Sequence, residues 1–304
     1  RAPFEGLLRA ARPLADGPGF VVGQASEWLA VRPDWSYTGG RDGFISHEVA
    51  PDLADDTAAT IAEARRLWAA VDRPNVMIKI PATPAGIPAI RHCLTEGIHV
   101  NITLMFSQCH YDAVADAYLS ALERRQHDGL PIDGIASVAS FFVSRVDTWV
   151  DAQLDRLAGD GVDVDGLRGQ AAVANAKLAY RRFQGVFGST RFERLVRHGA
   201  PVQRVLFAST SAKDPAYDDL KYVAPLIGPD TVNTLPLPTY EAFRDHGRVA
   251  PTLTEDLPAA RDVVARLAGL GIDLEAVGEA LSRDGVAKFV AAQAAVLATV
   301  TEKM

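Results

Sequence analysis

The stretch NVMIKIPATPAGIPA, residues 75–89, places one lysine, Lys79, inside an otherwise apolar strand. Because side chains alternate along a strand, Ile78 and Ile80 should face one side, and Met77 and Lys79 the other. The proline- and glycine-containing segment that follows indicates a turn that opens a helix, so the lysine lies near the carboxyl end of its strand. In a parallel α/β barrel that end carries the chemistry. The lysine is therefore either a reactive amine or a charge that is paired or reaches water along its apolar stem.

A regular alternation of strands and helices begins at Gly43. Six segments have strand character, and apolar residues at helical spacing follow them. The strands are expected at residues 43–49, 76–82, 97–104, 134–142, 202–210 and 231–238, and the helices at residues 55–71, 88–94, 107–125, 146–157, 169–197, 218–227 and from 255 to the end with a break at 269–272. Two weaker strand patterns, GFVVG and SEWLAV, lie within residues 1–42. The chain is expected to form one α/β domain that spans residues 1–304. The strand count favours a closed (β/α)8 TIM barrel, with the first two strands atypical or incomplete, and argues against an open doubly wound sheet.

Composition and charge exclude several classes of protein. The 304 residues carry a net charge of −7 without a basic run, which argues against a nucleic-acid partner and fits a cytoplasmic protein. Two cysteines are too few for a disulfide framework, no Cys/His spacing matches a zinc site, and no apolar run is long enough for a membrane helix. Glycine-rich nucleotide-binding signatures and a secretory signal are also absent from the sequence. Since the sequence starts with Arg1, we expect either a processed chain or a fragment.

Polar side chains interrupt the neighbouring strands at the same end as Lys79. Glu48 shares a face with Ser46, and Asn101 shares a face with Thr103 two strands later. Buried polar groups cost free energy unless they satisfy one another. One interpretation is a Glu48–Lys79 ion pair that serves stability, although buried ion pairs stabilise less than apolar packing does. The other is Schiff-base chemistry, in which a neutral lysine attacks a carbonyl while the neighbouring acid moves protons.

A second set of polar residues follows the later strands. Ser140 and Arg145 lie in SFFVSR, and Ser209, Ser211 and Lys213 lie in ASTSAK. Cations and hydroxyls after late barrel strands suit a phosphate, whose oxygens accept charge-assisted hydrogen bonds. Each of these residues taken alone is equally typical of a helix cap or an ordinary surface. Together with the strand lysine they indicate a phosphorylated sugar whose carbonyl end reaches that lysine. No cofactor or metal ion is required, because the iminium is itself the electron sink for breaking a carbon–carbon bond.

Several of these segments resemble the transaldolase family. MIKIPAT followed by EGIHVNITLMFS is similar to the family's Schiff-base strand and the strand after it, FISHEV to its acidic strand, and VASFFVSR to its Ser-x-Phe-x-x-Arg segment. LFASTSAKDPAY and IGPDTVNTLP are similar to the longer transaldolase branch, which also occurs fused to a phosphoglucose isomerase. The resemblance covers roughly residues 37–304.

The resemblance implies a role for each matching residue. Lys79 would form the imine, and Glu48 would be the general acid and base, working through a water held with Thr103. The other matches would bind substrate, with Asn101 and Ser140 at the hydroxyls of a three-carbon unit, Phe142 near the acid or simply packed in the core, and Arg145, Ser209, Ser211 and Lys213 at the phosphate. The implied activity transfers a dihydroxyacetone unit from sedoheptulose 7-phosphate or fructose 6-phosphate to glyceraldehyde 3-phosphate or erythrose 4-phosphate, in the pentose phosphate pathway.

Residues 1–42 depart from the family pattern. Transaldolases carry an aspartate on the first barrel strand and an asparagine in a Thr-x-Asn-Pro-like turn after the second. Neither motif occurs in residues 1–42, and SEWLAV has Ala30 where the aspartate is expected. Two alternatives therefore stay open: a fructose-6-phosphate-type aldolase that releases free dihydroxyacetone, and a truncated or degenerate barrel that binds sugar phosphates with little catalysis. Sugar phosphates are the expected partners, and a homodimer is an open option.

Overall fold

Six parallel strands form one sheet in the described part of the chain. The computed structural model describes residues 43–303. The strands are β1 Ile45–Glu48, β2 Val76–Pro81, β3 Val100–Met105, β4 Ser137–Phe142, β5 Arg204–Ala208 and β6 Thr231–Asn233. They lie side by side in sequence order, and every neighbouring pair is parallel. Six strands are confirmed after residue 42, but the last one ends at Asn233 and not at residue 238, because residues 237 and 238 already begin a helix. GFVVG and SEWLAV lie outside the described residues.

Helices occupy most of the remaining described chain. They are α1 Thr57–Val71, α2 Gly86–Glu96, α3 Gln108–His127, α4 Ser144–Gly159, α5 Ala171–Phe187, α6 Thr190–Val196, α7 Leu237–His246, α8 Leu257–Gly269 and α9 Leu274–Lys303, with 3-10 turns at Pro51–Leu53 and Ala224–Leu226. Helical crossovers of this kind are what parallel strands need in order to lie next to each other. None of the helices between residues 43 and 303 is both long and apolar enough to cross a membrane.

Two predicted caps begin the helices near the site. Asp56 precedes α1, and its side chain accepts a hydrogen bond from the N–H of Ala59 at 2.9 Å. Ser107 precedes α3 and accepts from the N–H of His110 at 3.2 Å. Each side chain satisfies one of the N–H groups that have no partner within the helix. The predicted starts at the aspartates before α1 and at Ser107 are therefore confirmed.

The structure corrects three helix predictions. The helical stretch expected at residues 169–197 is two helices, because the chain leaves helical geometry at Gly188 and Ser189 then caps α6. The helix expected at residues 218–227 is reduced to the 3-10 turn Ala224–Leu226, whose central residue is a proline without an N–H to donate. Helix α7 was not predicted at all; it starts after a proline and has another in its first turn, where proline is tolerated.

The two faces of strand β2 separate the apolar core from the site. Ile78 and Ile80 are fully buried and belong to the same apolar core as Ile90 and Leu94 of α2. The opposite face carries Lys79 among otherwise buried neighbours on the strand. Strands of parallel sheets are usually buried on both faces, so a lysine on the inner face needs polar partners there.

Helix α9 packs against the carboxyl end of β3 through two glycines. A Cβ at Gly278 would lie 2.6 Å from Cβ of Ser107, and one at Gly285 would lie 2.7 Å from Cδ2 of Leu104. Leu104 has a positive φ of 60°, and the register of β3 against β4 shifts there. The absence of side chains at both glycines thus lets α9 approach the strand ends where the predicted site residues lie.

Candidate active site

The register of β1 and β2 brings Lys79 next to Glu48. The two residues are direct partners across the parallel ladder, and Nζ of Lys79 lies 3.4 Å from Oε2 of Glu48. Their side chains are 22% and 31% exposed, so both are shielded but can be reached by a ligand. Burial raises the pKa of Glu48, and the charge of Lys79 opposes part of that rise. A carboxyl with a raised pKa takes up a proton more readily than an ordinary surface carboxyl does, which suits it to proton transfer with a ligand.

A line of hydrogen bonds holds the amide of Asn101 on the next strand. Asn101 is the register partner of Lys79. Ser140 Oγ donates to Asn101 Oδ1 at 2.6 Å, and Asn101 Nδ2 donates to Ser46 Oγ at 2.8 Å. Asn101 and Ser140 are buried. The two predicted substrate residues, Asn101 and Ser140, are therefore in direct contact. Ser46, which shares a strand face with Glu48, contacts the same amide.

Thr103 supplies a hydroxyl in the same region. It is fully buried and is the register partner of Pro81, two residues beyond Lys79. Among the described residues its Oγ1 has no hydrogen-bond partner. Buried hydroxyls nearly always have a partner, so this hydroxyl is well suited to orient a water or a substrate oxygen.

Phe142 and Arg145 form a contact at the start of α4. Phe142 is buried, and its ring centroid lies 5.1 Å from that of Phe106. The guanidinium carbon of Arg145 lies 5.4 Å from the centroid of Phe142, a cation–π distance. Nη1 of Arg145 is buried and makes no hydrogen bond to the part of the chain that is described. Phe142 therefore packs in the core and also supports a guanidinium that has donors to spare.

A cationic cleft extends from Arg145. A cavity of about 460 Å³ lies between α4, α9 and the segment after β5, and Arg145, Arg156, Lys213 and Lys288 all line it. Nζ of Lys213 donates to Ser211 Oγ at 2.7 Å. Lys288 also bonds Asp284 at 2.5 Å, one turn earlier on α9. Several cations on one cavity favour an anionic ligand such as a phosphate.

Ser209 has a different set of contacts from the other predicted phosphate residues. Its Oγ lies 3.0 Å from Ser144 Oγ, and its carbonyl accepts from the N–H of Ser144 at 3.0 Å. Its φ of 57° is in the left-handed region, where a serine is uncommon. Ser209 thus joins the end of β5 to the start of α4. Neither Ser209 nor Ser211 is among the residues that line the cationic cleft, so of the predicted phosphate residues only Arg145 and Lys213 border it.

Sequence reasoning missed the residues that α9 brings to the site. The ring centroid of Phe289 lies 5.5 Å from Nζ of Lys79, and Lys288 lines the cationic cleft. Arg156, near the end of α4, lines the same cleft. These residues lie on ordinary helical patterns far from the strand motifs, so no local signal in the sequence distinguishes them. Within residues 43–303, no group of His, Cys, Asp or Glu side chains is arranged to hold a metal ion.

A lysine beside a carboxyl at the carboxyl ends of adjacent parallel strands, with a cationic cleft nearby, indicates an aldolase-type enzyme of the α/β-barrel class. The chain matches the model of the transaldolase/fructose-6-phosphate aldolase family over residues 20–300, and it belongs to that family. The match begins earlier than the motif resemblance, which started near residue 37. The TIM barrel is the fold of this family, and six parallel strands in sequence order agree with it, so the predicted fold class is confirmed.

Several similar proteins are named transaldolase. Transaldolase 1 of Streptomyces coelicolor is 50% identical over 275 residues, which cover 90% of this chain and 72% of the relative. Transaldolase of Parafrankia sp. is 48% identical, covering 90% of this chain and 74% of the relative. Transaldolase of Mycolicibacterium paratuberculosis is 51% identical over 84% of this chain and 69% of the relative. The predicted family and enzyme class are thus confirmed, whereas the role of each site residue stays a prediction.

Proposed function

We propose that this chain transfers a dihydroxyacetone unit between sugar phosphates through a Schiff base on Lys79. The observation that carries the proposal is the 3.4 Å separation of Lys79 Nζ and Glu48 Oε2, in a chain that is 50% identical to a protein named transaldolase. The two residues are on adjacent strands, so the sheet and not a flexible loop fixes the distance between their backbones. An amine and an acid held within reach of each other are what imine chemistry requires.

The reaction follows from the chemistry of these two groups. The neutral amine of Lys79 adds to the ketose carbonyl, and the carbinolamine hydroxyl leaves as water with a proton taken from solvent, which gives an iminium. Glu48 takes the proton of the C4 hydroxyl through a water oriented by Thr103. The C3–C4 bond then breaks, its electron pair moves into the iminium, and an aldose phosphate leaves. The remaining enamine adds to the acceptor aldehyde, Glu48 returns the proton, and water hydrolyses the new iminium to release the product.

The polar residues around the lysine are assigned to the bound sugar. Asn101 and Ser140, linked at 2.6 Å, have donors and acceptors for the hydroxyls of the three-carbon unit. Arg145 and Lys213 would bind the phosphate from opposite walls of the cationic cleft, with Ser211 beside the lysine. Ser209 would support this site through its contact with Ser144.

Acceptor dependence separates this function from a simple aldolase. Fructose 6-phosphate is incubated with the protein, with or without erythrose 4-phosphate, and the products are identified. Transfer predicts sedoheptulose 7-phosphate only when the acceptor is present, with no free dihydroxyacetone. Release of free dihydroxyacetone at the same rate without acceptor would assign the aldolase activity instead. A sugar phosphate that binds without either reaction would indicate the degenerate barrel.

We also propose that the chain is a single barrel domain and that it acts in the cytoplasm. Its expected substrates are phosphorylated sugars, which do not cross membranes unaided. Fractionation of the cells that express it would test the location through the distribution of its activity.

A further inference from the structure

Two buried aspartates on helix α4 lie opposite the segment that follows β5. Asp147 and Asp151 are one helical turn apart, so their side chains lie on the same side of the helix. Asp147 is 0% exposed and Asp151 is 5% exposed. A buried carboxylate needs a cation or several hydrogen-bond donors to offset its desolvation. Here each carboxylate accepts two hydrogen bonds.

Each aspartate binds a tyrosine hydroxyl from the segment after β5. Tyr222 donates to Asp147 at 2.9 Å, and Tyr217 donates to Asp151 at 2.5 Å. The other oxygen of each carboxylate accepts a backbone N–H near the start of α5, at 2.7 Å for Asp147 and 2.8 Å for Asp151. Hydrogen bonds to a charged acceptor are stronger than neutral ones. These two contacts therefore hold the segment firmly against α4.

The chain next to Tyr217 is adapted to its ring. Gly169 has a φ of +69°, and a Cβ there would lie 2.7 Å from both Cζ and the hydroxyl oxygen of Tyr217. A residue with a side chain would strain the backbone and displace the ring. The ammonium of Lys221 lies over the ring of Tyr217, 4.1 Å from the ring centroid. The position of Tyr217 is therefore fixed from several directions.

The tyrosine contacts also fix the two walls of the cationic cleft relative to each other. Helix α4 carries Arg145 in its first turn, and the segment after β5 carries Lys213. Lys213 borders two cavities: the cationic cleft, and a smaller cavity of about 250 Å³ that is also lined by Asp151, Asp155 and Asp214. The ammonium of Lys213 thus lies between a site for an anion and a group of carboxylates.

The carboxylates of the smaller cavity are already bound by other donors. Arg168 donates to Asp155, and to Asp214 at 2.9 Å. Tyr217 donates to Asp151. Lys213 instead donates to Ser211, on its own segment, at 2.7 Å. The ammonium of Lys213 is therefore left available for a ligand in the cleft.

We infer that Tyr217 is a positioning residue for the substrate phosphate and acts through Lys213. Without its hydroxyl, Asp151 would have a buried carboxylate oxygen with no donor, next to the cavity that Lys213 borders. That oxygen would attract the ammonium of Lys213 away from the cleft it shares with Arg145. The inference rests on the proposed function for the identity of the anion, a sugar phosphate.

The test compares a phosphorylated acceptor with its unphosphorylated form. Tyr217→Phe is assayed with saturating fructose 6-phosphate and either erythrose 4-phosphate or erythrose. We expect KM for erythrose 4-phosphate to rise about tenfold, the equivalent of about 1.4 kcal/mol, with kcat changed less than twofold. The kinetic constants for erythrose should be unchanged. A purely structural role would lower activity with both acceptors alike, and that result, or unchanged constants for both, would overturn the inference.

Two further variants keep the test independent of folding defects. Arg168→Gln removes the donor to Asp155 and Asp214 at a side chain that is 45% exposed, so it should also raise KM for erythrose 4-phosphate selectively. Tyr180→Phe is the matched control, because it removes a tyrosine hydroxyl that donates to the carbonyl of Pro229 at 3.0 Å, away from the cleft. It should leave the preference for the phosphorylated acceptor unchanged.

A binding measurement separates failure of this inference from failure of the proposed function. The dissociation constant of inorganic phosphate is measured by calorimetry for the wild-type protein and for Tyr217→Phe. Weaker phosphate binding by the variant, in a protein that transfers no dihydroxyacetone, would support the positioning role and reject the proposed function. Equal binding by both proteins, or no binding by the wild type, would reject the positioning role even if transfer occurs.

Discussion

Nζ of Lys79 lies 3.4 Å from Oε2 of Glu48, and the two residues are register partners on adjacent parallel strands. An ion pair at this position would contribute little to the stability of the fold, because desolvation offsets most of the attraction between buried charges. In the proposed function this pair has a direct use, because the amine would attack the carbonyl and the carboxyl would move the protons. The surrounding amide and hydroxyl groups would then bind the substrate.

Glu48→Gln should separate imine formation from turnover. The amide keeps the shape of the side chain but cannot accept and return a proton. We expect kcat to fall by about 10²–10⁴, while borohydride in the presence of fructose 6-phosphate still traps the sugar on the lysine. Glu123→Gln is the control: Glu123 accepts a hydrogen bond from Arg191 at 2.7 Å, its side chain is 43% exposed, and it should be dispensable. Near wild-type kcat in Glu48→Gln would contradict the assigned role.

Thr103→Val should lower activity without lowering stability. The Thr103 hydroxyl is buried and has no partner among the described residues, so an apolar replacement of the same shape removes an unsatisfied group. We expect the free energy of unfolding in urea to stay equal or rise by up to about 1 kcal/mol, and kcat to fall at least about tenfold. Thr60→Val is the matched control, because Thr60 is equally buried but donates to the carbonyl of Leu53 at 2.9 Å. It should lose about 1 kcal/mol of stability and keep its kcat.

Burial of Asp147 should make stability depend on pH. Desolvation raises its pKa from 3.8 to about 6, although Ala172 and Tyr222 donate to it. The folded protein therefore holds the proton more tightly than the unfolded chain. The resulting stabilisation is complete below about pH 4 and is lost as pH rises through 6, a change of up to about 3 kcal/mol. The free energy of unfolding is measured in urea from pH 4 to 7 for the wild type and for Asp147→Asn. As pH rises, the wild type should lose stability relative to the variant by this amount. A difference that is constant with pH would contradict the prediction.

Gly278→Ala should displace α9 and affect the site indirectly. The added Cβ would lie 2.6 Å from Cβ of Ser107, which cannot rotate away. We expect a loss of about 1–3 kcal/mol in unfolding free energy, together with reduced kcat, because Phe289 on the same helix lies 5.5 Å from the amine of Lys79. Gly269→Ala in α8 is the control, since its Cβ meets nothing within 4 Å. Equal stability of the two variants would show that α9 does not depend on this close approach.

The part of the site that the sequence predicted consists of residues on strands. Glu48, Lys79 and Asn101 could be placed together because strands alternate side chains and parallel neighbours align their carboxyl ends. Their contacts depend only on register, which short apolar strands specify well. The six strands were readable from Gly43 onward for the same reason.

The part that the sequence did not predict depends on long-range packing. Phe289 and Lys288 reach the site because α9 docks on β3 through glycines, a contact between segments far apart in the chain. The tyrosine contacts of Asp147 and Asp151 likewise join α4 to a segment without regular structure. Neither contact produces a regular spacing of residues in the sequence, so a local pattern could not reveal it. The break at Gly188 was missed because the apolar spacing continues on both sides of it.

Borohydride trapping on the lysine is the most direct test of the central claim. The protein is incubated with fructose 6-phosphate and sodium borohydride, digested, and mapped by mass spectrometry. We expect one modified lysine, Lys79, and no modification in Lys79→Arg. Lys177→Arg is the matched control, because Lys177 donates to the carbonyl of Glu255 at 2.9 Å away from the site, and it should be labelled like the wild type. Label on any other lysine, or undiminished labelling of Lys79→Arg, would contradict a Schiff base at Lys79.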